Sequence, residues 1–402
     1  MKYKLKDQRN IYLKTIENDI LLYSSKESVK LDQFHVGRKI FGKYWDSIVF
    51  RLVTNICLPV LSIILNLYYF IKFFFLSLKP AYKGRISRLF VSNDRLLYKR
   101  SLYAGLQNNG DCWLKSPFDN YDIPNAEGIV KIGVADLLTC KDVCLTFLQT
   151  VLAHILVVKQ YGYDKYLLSF NACKWFIVDF SLRHIPYDVE IIYSNLIDRN
   201  AILYDNLPHI KKSIIQHGSL YLIHNHYEGK FYEIQTKTHK IYVRKNTYKS
   251  APSTVYYLSE NDKIAFVESV IRNTPNYIFI GYGFQPTEKP QRKSVLIIGN
   301  YTLFSNQEEA VLSQLQNTDM DIYLKNHPTL SDDCYNIFKE KYKFQYIEGR
   351  SERFPDVDIV ISHESTLALE YESIGTKVLY YENIDMQRVA DEVLSHLKME
   401  KQ

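Results

Sequence analysis

The sequence lacks several features that would identify a class of protein directly. Its six cysteines form no Cys-x-x-Cys pair, and Cys140 and Cys144 have no matching Cys/His pair elsewhere, so reduced thiols are expected instead of a disulfide framework or a zinc site. The first stretch of about 40 residues is polar and charged, so we expect no cleavable signal peptide. No internal repeat and no long low-complexity segment is present. Solenoid and disulfide-rich secreted classes are thereby excluded.

A strong charge of one sign is also absent. The chain has 402 residues with 50 basic and 44 acidic side chains, giving a net charge of +6. A dedicated nucleic-acid-binding protein would concentrate more positive charge, so we expect no nucleic-acid partner. The mild excess is more typical of an enzyme of anionic substrates or a membrane-surface protein. The length suits two domains, and a hydrophobic content of 47% predicts that most of the chain is globular.

One long apolar run is present near the start. Residues Val53 to Ile71 contain no charge, and after Lys72 the run continues to Leu78. Basic residues flank it on both sides, whereas a spanning helix normally shows a bias to one side. Three readings stay open: an in-plane or re-entrant membrane anchor, a spanning helix, and a buried helix of a soluble domain. Residues 1–84 are interpreted as a basic N-terminal region with a membrane-associating segment at 53–78.

From Arg88 onward, short apolar runs alternate with helical patterns, which predicts α/β structure with parallel sheets. The predicted strands of the first half are Leu89–Ser92, Lys165–Phe170, Val189–Ser194, Ser213–Ile215, Thr254–Leu258 and Tyr277–Ile280. Helices are predicted from Asn93 or Asp94 to about Leu106, at Val143–Gln160 and at Lys263–Arg272. Asp111–Gly128 is predicted as a loop, and Glu228–Val243 as a β-hairpin.

A polar, proline-containing segment, QPTEKPQRK at 285–293, predicts a linker between two domains. The first domain is assigned to residues 85–284. Residues 294–402 repeat the alternation of strands and helices and form the second domain. The predicted fold class is α/β, with two Rossmann-like doubly wound domains that face a cleft and with an N-terminal helical segment associated with a membrane.

Small polar residues follow the predicted strands of the second domain. Gly299 and Asn300 follow the first strand, His327 and Pro328 another, and Ser365 with Thr366 a third. Ligands of doubly wound domains bind at the carboxyl ends of parallel strands. Ser365 and Thr366 would start a helix, where backbone N–H groups and the helix dipole favour a phosphate, although simple N-capping explains one of them. Pro328 would fix the turn that aims His327 at a phosphate oxygen.

Two further side chains belong to the predicted nucleotide site. Lys325, at the end of the same strand as His327, would add positive charge. Glu370, one helical turn after Thr366, would accept from a ribose hydroxyl or pair with a surface lysine. No DxD signature is identified, and His224 and His226 have no evident third ligand, so no metal and no cofactor are expected.

These motifs resemble those of bacterial GT-B glycosyltransferases of surface polysaccharide synthesis. The resemblance covers roughly residues 185–385 and is strongest to CMP-sugar users, the sialyl-, polysialyl- and Kdo-type transferases, and to CDP-glycerol polyol-phosphate transferases. It is carried by Lys325-Asn326-His327-Pro328, by Ser362-His363-Glu364-Ser365-Thr366, and by Gln216-His217-Gly218, which is similar to the HG element of the polyol-phosphate transferases. The resemblance implies that His327, Ser365 and Thr366 bind the phosphate and ribose of a cytidine nucleotide.

Two residues are candidates for the general base that activates an acceptor hydroxyl. His217 accepts a proton near neutral pH without a large pKa shift, although a buried histidine bonded to a carbonyl would look the same in sequence. The CMP-sialic acid transferases use a carboxylate of the N-terminal domain instead, and Asp94 is the best match here, with helix capping as its alternative role. No acidic D/E-D/E-G element of those enzymes is identified in this chain.

The resemblance predicts a metal-independent GT-B enzyme at the cytoplasmic face of the bacterial inner membrane. It would move a nonulosonic acid or Kdo from a CMP-activated donor, which is a substrate and leaves CMP as product, to a lipid-linked, capsular or lipopolysaccharide glycan. The first alternative is a CDP-glycerol or CDP-ribitol polyol-phosphate transferase. The second is a non-catalytic, membrane-anchored scaffold of polysaccharide assembly.

Overall fold

The computed structural model describes most of the chain. The described residues are 5–24, 47–79, 82, 84–91, 95–108, 110–117, 129–196, 198–216, 218–223, 231–236, 240–246, 248–328 and 330–399. They divide into two compact units. Unit 1 comprises Met1–His217 with Arg244–Ile280, and unit 2 comprises Gly218–Val243 with Gly281–Gln402.

Unit 1 is built on a seven-stranded sheet, all parallel, in the order β10-β9-β5-β4-β1-β2-β3. Its strands are β1 Arg88–Val91, β2 Cys112–Lys115, β3 Val130–Gly133, β4 Glu190–Tyr193, β5 Lys212–Ile215, β9 Thr254–Tyr257 and β10 Asn276–Phe279. The chain moves outward from β1 in one direction and then crosses to the other side at β4. This reversal is the doubly wound arrangement predicted from the sequence.

Helices cover the sheet of unit 1. They are α1 Leu5–Ser24, α2 Ile48–Leu76, α3 Arg95–Tyr103, α4 Cys140–Tyr161, α5 Ala172–Arg183, α6 Arg199–Asp205 and α7 Glu260–Ala265. Apolar side chains of β1, β2 and β4, including Phe90, Trp113 and Ile192, form one buried cluster. The rings of Phe90 and Trp113 stack with centroids 4.3 Å apart. The doubly wound unit predicted for the first half of the chain is confirmed.

Unit 2 contains a five-stranded parallel sheet in the order β13-β12-β11-β14-β15. Its strands are β11 Ser294–Ile298, β12 Asp321–Lys325, β13 Gln345–Ile347, β14 Ile359–Ser362 and β15 Lys377–Tyr380. Its helices are α8 Tyr301–Leu315, α9 Asn336–Lys341, α10 Thr366–Ser373 and α11 Val389–Met399. All five residues of β11 are buried, as expected for a central strand covered on both faces. A second doubly wound unit is therefore confirmed.

A small three-stranded sheet belongs to unit 2 although its sequence lies in the first half of the chain. Its order is β6-β8-β7, formed by β6 Tyr221–Leu222, β7 Phe231–Gln235 and β8 Lys240–Arg244, and β6 pairs antiparallel with β8. The sequence-based boundary places residues 218–243 in the first domain instead. Hydrogen bonds explain the difference, because residues of the 218–223 segment bond to side chains that follow β14.

Several local predictions were wrong. Residues Lys165–Phe170, predicted as a strand, lie largely in a 3₁₀ helix at Tyr163–Ser169. The loop predicted at Asp111–Gly128 contains strand β2, and helix α5 was not predicted at all. Ten of the eleven residues of α5 from Ala172 to Leu182 are buried, with Lys174 as the exception. The helix therefore has no polar face to show the 3.6-residue period.

The apolar run predicted at 53–78 lies almost wholly in helix α2, Ile48–Leu76. Within the described residues, one helix, Cys140–Tyr161 (α4), is long and apolar enough to cross a membrane by length and composition, and 39% of its apolar window is buried in the protein. This property is shared by core helices of soluble proteins, so it does not decide among the three readings.

Candidate functional site

The change of direction in the unit 2 sheet creates a natural binding crevice. β11 is the first strand of this sheet, and it pairs with β12 on one side and β14 on the other. The register matches Ile298 with Lys325 and with Ser362, so all three strands end at the same level. Connections that leave in opposite directions from such a point open a crevice at the carboxyl ends of the strands.

The residues that follow β14 start helix α10. Ser365 is its N-cap in extended conformation, and its hydroxyl accepts from the backbone N–H of Ala368 at 3.1 Å. This is the capping role considered from the sequence. Thr366 is the first residue of the helix and does not cap it. The two hydroxyls therefore have separate roles, and the Thr366 hydroxyl takes no part in capping the helix.

A pocket of about 110 Å³ lies beside this helix start. It is lined by Ser219, Tyr221, Leu222, Ile223, Glu364, Ser365, Thr366, Leu369 and Tyr380. The backbone N–H of Ser219 donates to Oγ1 of Thr366 at 3.2 Å, and the N–H of Ile223 donates to Oε1 of Glu364. Since the Thr366 oxygen accepts in this bond, its own O–H proton is directed elsewhere. All nine lining residues belong to unit 2.

Gly218 sits where a side chain would crowd this pocket. A Cβ built on Gly218 would lie 3.2 Å from Oγ1 of Thr366, closer than ordinary van der Waals contact. The glycine thus lets the backbone approach the Thr366 hydroxyl. The Gln216-His217-Gly218 motif singled out in the sequence has its glycine next to the pocket.

His327 and Pro328 follow β12 in a loop that is held by hydrogen bonds to Asp332. Oδ1 of Asp332 accepts from the hydroxyl of Tyr346 at 2.6 Å, from Nδ2 of Asn326 at 3.0 Å and from the N–H of Gly349 at 3.1 Å. The Tyr346 bond leads the effects that lower the pKa of Asp332. The Asp332 carboxylate, with its three donors, fixes the loop. Burial lowers the pKa of His327, which is half-buried.

A second histidine lies at the same edge of the sheet. His363, directly after β14, is 8% exposed and stacks on Phe304 with ring centroids 4.9 Å apart. Burial, with a smaller contribution from the charge of His327, lowers the pKa of His363 to about 4. His363 is therefore neutral at physiological pH. The sequence motif contained this residue, but nothing in the sequence showed that it would be buried between two strand ends.

Lys325 has a different role from the one predicted. Its side chain is buried, and Nζ donates to the carbonyls of Glu348, Gly349 and Ser351 at 3.0, 3.3 and 3.0 Å. The ammonium thereby satisfies three backbone oxygens of the loop after β13. We correct the sequence-based assignment: Lys325 anchors a loop, and its charge is already occupied by these carbonyls.

Gly299 and Asn300, at the end of β11, are held by a buried carboxylate. Oε1 of Glu308 accepts from the N–H of Asn300 at 2.6 Å, and Oε2 accepts from the Tyr335 hydroxyl at 2.9 Å. A Cβ on Gly299 would lie 2.2 Å from the Tyr335 hydroxyl oxygen, so only glycine fits there. Burial raises the pKa of Glu308 despite these two bonds. The turn that starts α8 is thus fixed, with its backbone at the crevice.

The other predicted site residues fall into two groups. Glu370 is half-buried on α10 and is not among the residues that line the pocket. His217 and Asp94, the two candidate bases, lie outside the described residues, so their roles stay predictions.

No group of three or more His, Cys, Asp or Glu side chains suited to a metal occurs among the described residues. Two Asp-x-Asp spacings do exist, at Asp319 to Asp321 and at Asp356 to Asp358. Both precede or begin a strand, at the opposite end from the crevice, and Asp358 is paired with Lys293 at 2.6 Å. Metal independence stays a prediction.

No protein-family model and no curated protein matches the sequence. Among solved structures, a glycosyltransferase from Rickettsia africae ESF-5 is similar, with a TM-score of 0.40 and 11% identity over 79% of this chain and 89% of that one. The spinosyn rhamnosyltransferase SpnG, solved with spinosyn aglycone, has a TM-score of 0.28 and 9% identity over 77% and 92%. Both proteins are glycosyltransferases, but these scores are too low to transfer a function.

Replacing Lys325 tests its role as an anchor. Lys325→Met should lower the free energy of unfolding by about 3 kcal/mol, because it leaves three carbonyls without their donor. Denaturant unfolding at neutral pH measures the difference. The matched control is Lys343→Met, since Lys343 is exposed on the same unit, and it should change little. A stability loss no larger than that of Lys343→Met would contradict the anchoring role.

The depressed pKa of His363 predicts a pH dependence. The pKa of His363 is the ordinary 6.5 in the unfolded chain and about 4 in the folded chain. The contribution of His363 to stability is therefore complete above pH 6.5 and is lost as the pH falls toward 4. When the pH is lowered from about 7 to about 5, the free energy of unfolding of His363→Gln should therefore fall by roughly 2 kcal/mol less than that of wild type. Denaturant unfolding at both pH values measures this difference.

A control of opposite sign is His184, where a hydrogen bond donated to the Asp142 carboxylate raises the pKa of the imidazole. Its contribution is present at low pH and is lost as the pH rises through the folded value, so His184→Gln should lose more stability than wild type on acidification. Equal pH slopes for wild type and His363→Gln would contradict the neutral, buried state of His363.

Proposed function

We propose that this protein is a glycosyltransferase that uses a cytidine-nucleotide donor and binds the donor phosphate at the pocket beside helix α10. The observation that carries the proposal is the pocket itself, where the Thr366 hydroxyl meets a helix N-terminus at the crevice of a doubly wound sheet. This is the position at which such sheets bind nucleotides. The resemblance of the surrounding motifs to those of CMP-sugar transferases supplies the reaction class.

The pocket suits one phosphate better than a whole nucleotide. Its volume of about 110 Å³ compares with roughly 300–1,000 Å³ for complete ligand sites. Thr366 would donate its hydroxyl proton to a phosphate oxygen, while the N-terminus of α10 supplies the favourable dipole end. Ser365 keeps the helix start in place through its bond to Ala368. We infer that the base and sugar extend beyond this pocket along the strand ends.

One histidine contributes to the proposed anion-binding edge. A neutral imidazole still carries one N–H, so His327 can donate a hydrogen bond without a net charge, whereas the N–H of His363 is engaged with the backbone of Ile298. A bound phosphate would stabilise the protonated form of His327 and raise its depressed pKa. The nucleotide would therefore change the protonation of this edge, and its affinity should rise as the pH falls toward the ordinary histidine range.

The proposed reaction follows from this placement. The acceptor hydroxyl attacks the anomeric carbon, the bond from that carbon to the phosphate oxygen breaks, and CMP leaves with the electron pair. Hydrogen bonds from Thr366 and His327 to the phosphate stabilise the negative charge that develops on it. A base takes the proton of the hydroxyl, for which His217 and Asp94 remain the candidates. The donor we favour is a CMP-linked nonulosonic acid or Kdo, and the acceptor a lipid-linked or capsular glycan.

A thermal-shift series with CMP, CDP, UDP and GDP tests the nucleotide class. A ligand that binds only the folded state raises the melting temperature, by roughly 5 to 10 °C at a hundredfold excess over Kd. We expect stabilisation by CMP. Stabilisation by CDP alone would instead support the polyol-phosphate transferase. No response to any nucleotide would contradict both transferase functions, and the non-catalytic scaffold would be the remaining alternative.

The pocket hydroxyl can be removed by a near-isosteric change. Thr366→Val should weaken CMP binding by about 10- to 100-fold, because a hydrogen bond to a charged phosphate is lost. Thr366→Ser retains the hydroxyl and should bind CMP almost as wild type does. Calorimetric titration of the three proteins measures the affinities. Equal affinity for the valine and serine variants would remove the Thr366 hydroxyl from the site.

Replacing His327 tests the second side of the crevice. His327→Ala should abolish the thermal response to CMP while circular dichroism shows an unchanged fold, because the side chain is only half-buried. The control is His184→Ala, a partly exposed histidine of unit 1. Normal CMP affinity in His327→Ala would exclude this residue from phosphate binding.

A further inference from the structure

Helix α2 carries polar side chains inward and large apolar side chains outward. Ser62 is fully buried, and Asn66 is only 3% exposed. The exposed apolar residues on this helix or just beyond its end recur at helical spacing: Val60, Ile63, Ile64, Leu67, Tyr68, Ile71, Phe75 and Leu78. A helix of a water-soluble surface has the reverse pattern, with its polar side in water.

Helix α4 shows the same inversion. Thr146, Gln149 and Thr150 are essentially fully buried. On the outer side, Ile155 is 57% exposed, and Leu148 and Val151 are exposed as well. Two helices of unit 1 share this inverted polarity, whereas ordinary exposed hydrophobic residues are scattered singly over a surface.

The two helices pack against each other in antiparallel directions. As the residue number falls along α2, its partner's number on α4 rises: Ser77 with Cys140 (3.6 Å between Oγ and Sγ), Phe70 with Phe147 (4.8 Å between ring centroids) and Asn66 with His154 (3.1 Å between Nδ2 and Nε2). Both helices belong to unit 1. The pairs extend from Asn66 to the C-terminal end of α2 and from Cys140 to His154 of α4.

The outward sides of the two helices face the same way. Exposed residues follow the contact residues by one position, with Leu67 after Asn66 and Ile155 after His154. In a pair of antiparallel right-handed helices, the same one-residue step along each chain, taken from the contact line, leads to the same side of the pair. The exposed side chains of α2 and α4 therefore form one continuous face, here named the apolar surface.

The inward polar groups around His154 satisfy one another. Nε2 of His154 accepts from Nδ2 of Asn66 at 3.1 Å, and Nδ1 donates to Oγ of Ser169 at 2.6 Å, whose proton bonds to the carbonyl of Tyr166 at 2.5 Å. This tautomer is the one that gives every atom a partner. Oδ1 of Asn66 accepts from the N–H of Cys173 at 3.3 Å. Because burial lowers the pKa of His154 to about 4, the network is uncharged and needs no water.

Cations border the apolar surface at one end. Lys72 and Lys79 lie at the C-terminal end of α2, and Lys141 lies at the start of α4. The antiparallel packing brings these exposed lysines to the same end of the helix pair. Lysine stems can cover apolar surface while their ammonium groups reach outward, which suits an anionic headgroup layer.

We propose that the apolar surface docks on a lipid bilayer that contains anionic lipids, with α2 and α4 lying in the interfacial layer. Exposure of this apolar surface to water costs free energy, and contact with lipid would remove that cost. The polar network around His154 already has its hydrogen bonds inside the protein. The inner sides of both helices are packed against protein, so one side of each can face lipid. This geometry favours helices that lie in the interface over helices that cross the bilayer. The proposal holds independently of the nucleotide donor.

Vesicle flotation of the full chain tests this docking. The protein should float with vesicles of phosphatidylcholine mixed with phosphatidylglycerol, and less with phosphatidylcholine alone. Ile64→Asp and Ile155→Asp, one on each helix, should each lower the vesicle partition coefficient by about tenfold or more, since each removes an apolar side chain from the proposed lipid contact. The control is Ile210→Asp, which changes an even more exposed isoleucine of unit 1 on neither helix. This variant should bind as wild type does.

Circular dichroism and melting curves of each variant establish that it folds. If an Asp variant does not, Ile155→Trp keeps the position apolar, and its fluorescence should be quenched by vesicles with brominated acyl chains more than that of wild type. Absence of added quenching would overturn the proposal. The proposal would also be overturned if wild type bound neither kind of vesicle, or if Ile210→Asp lowered vesicle binding as much as the other two variants. A third contradicting result is a wild-type dimer that binds no lipid and that Ile155→Asp converts to a monomer.

Discussion

The parallel pairing of β11 with β12 on one side and β14 on the other is the interaction on which the candidate site depends. The register brings the ends of three strands to one level, and the buried β11 fixes their positions. Every proposed phosphate ligand follows one of these strands or starts the helix after β14. Shifting one strand by a residue would turn its whole row of side chains to the other face, so the site and the sheet are specified together.

Buried polar anchors then hold the loops at those ends. Asp332 secures the His327 loop, Lys325 secures the loop after β13, and Glu308 secures the turn after β11. Each anchor serves backbone groups that would otherwise be left without partners in the interior. The groups assigned to the ligand, Thr366 and His327, are thereby separated from the groups that maintain the loops. Such fixed supports would pre-organise the site for the proposed phosphate.

Much of the sheet structure of both units was predictable, because short apolar runs that end in small polar residues recur at regular intervals. The strand-end positions of His327 and Thr366 followed from the same pattern. The burial of Lys325 did not, because a lysine after an apolar strand looks the same whether its ammonium meets a ligand or three carbonyls. The inclusion of residues 218–243 in unit 2 rests on contacts between Ser219 and Thr366, 147 residues apart, which no local pattern reveals. Similarly, the sequence showed the apolar run of α2 but not that its polar residues face inward.

The central claim is that a cytidine nucleotide places its phosphate at the start of α10. The most direct measurement is a crystal structure of the protein with CMP. The account predicts the phosphate within hydrogen-bonding distance of Oγ1 of Thr366, beside the imidazole of His327, with Lys325 still bound to its carbonyls. A CMP phosphate bound away from Thr366, or a nucleotide bound in unit 1 alone, would contradict it.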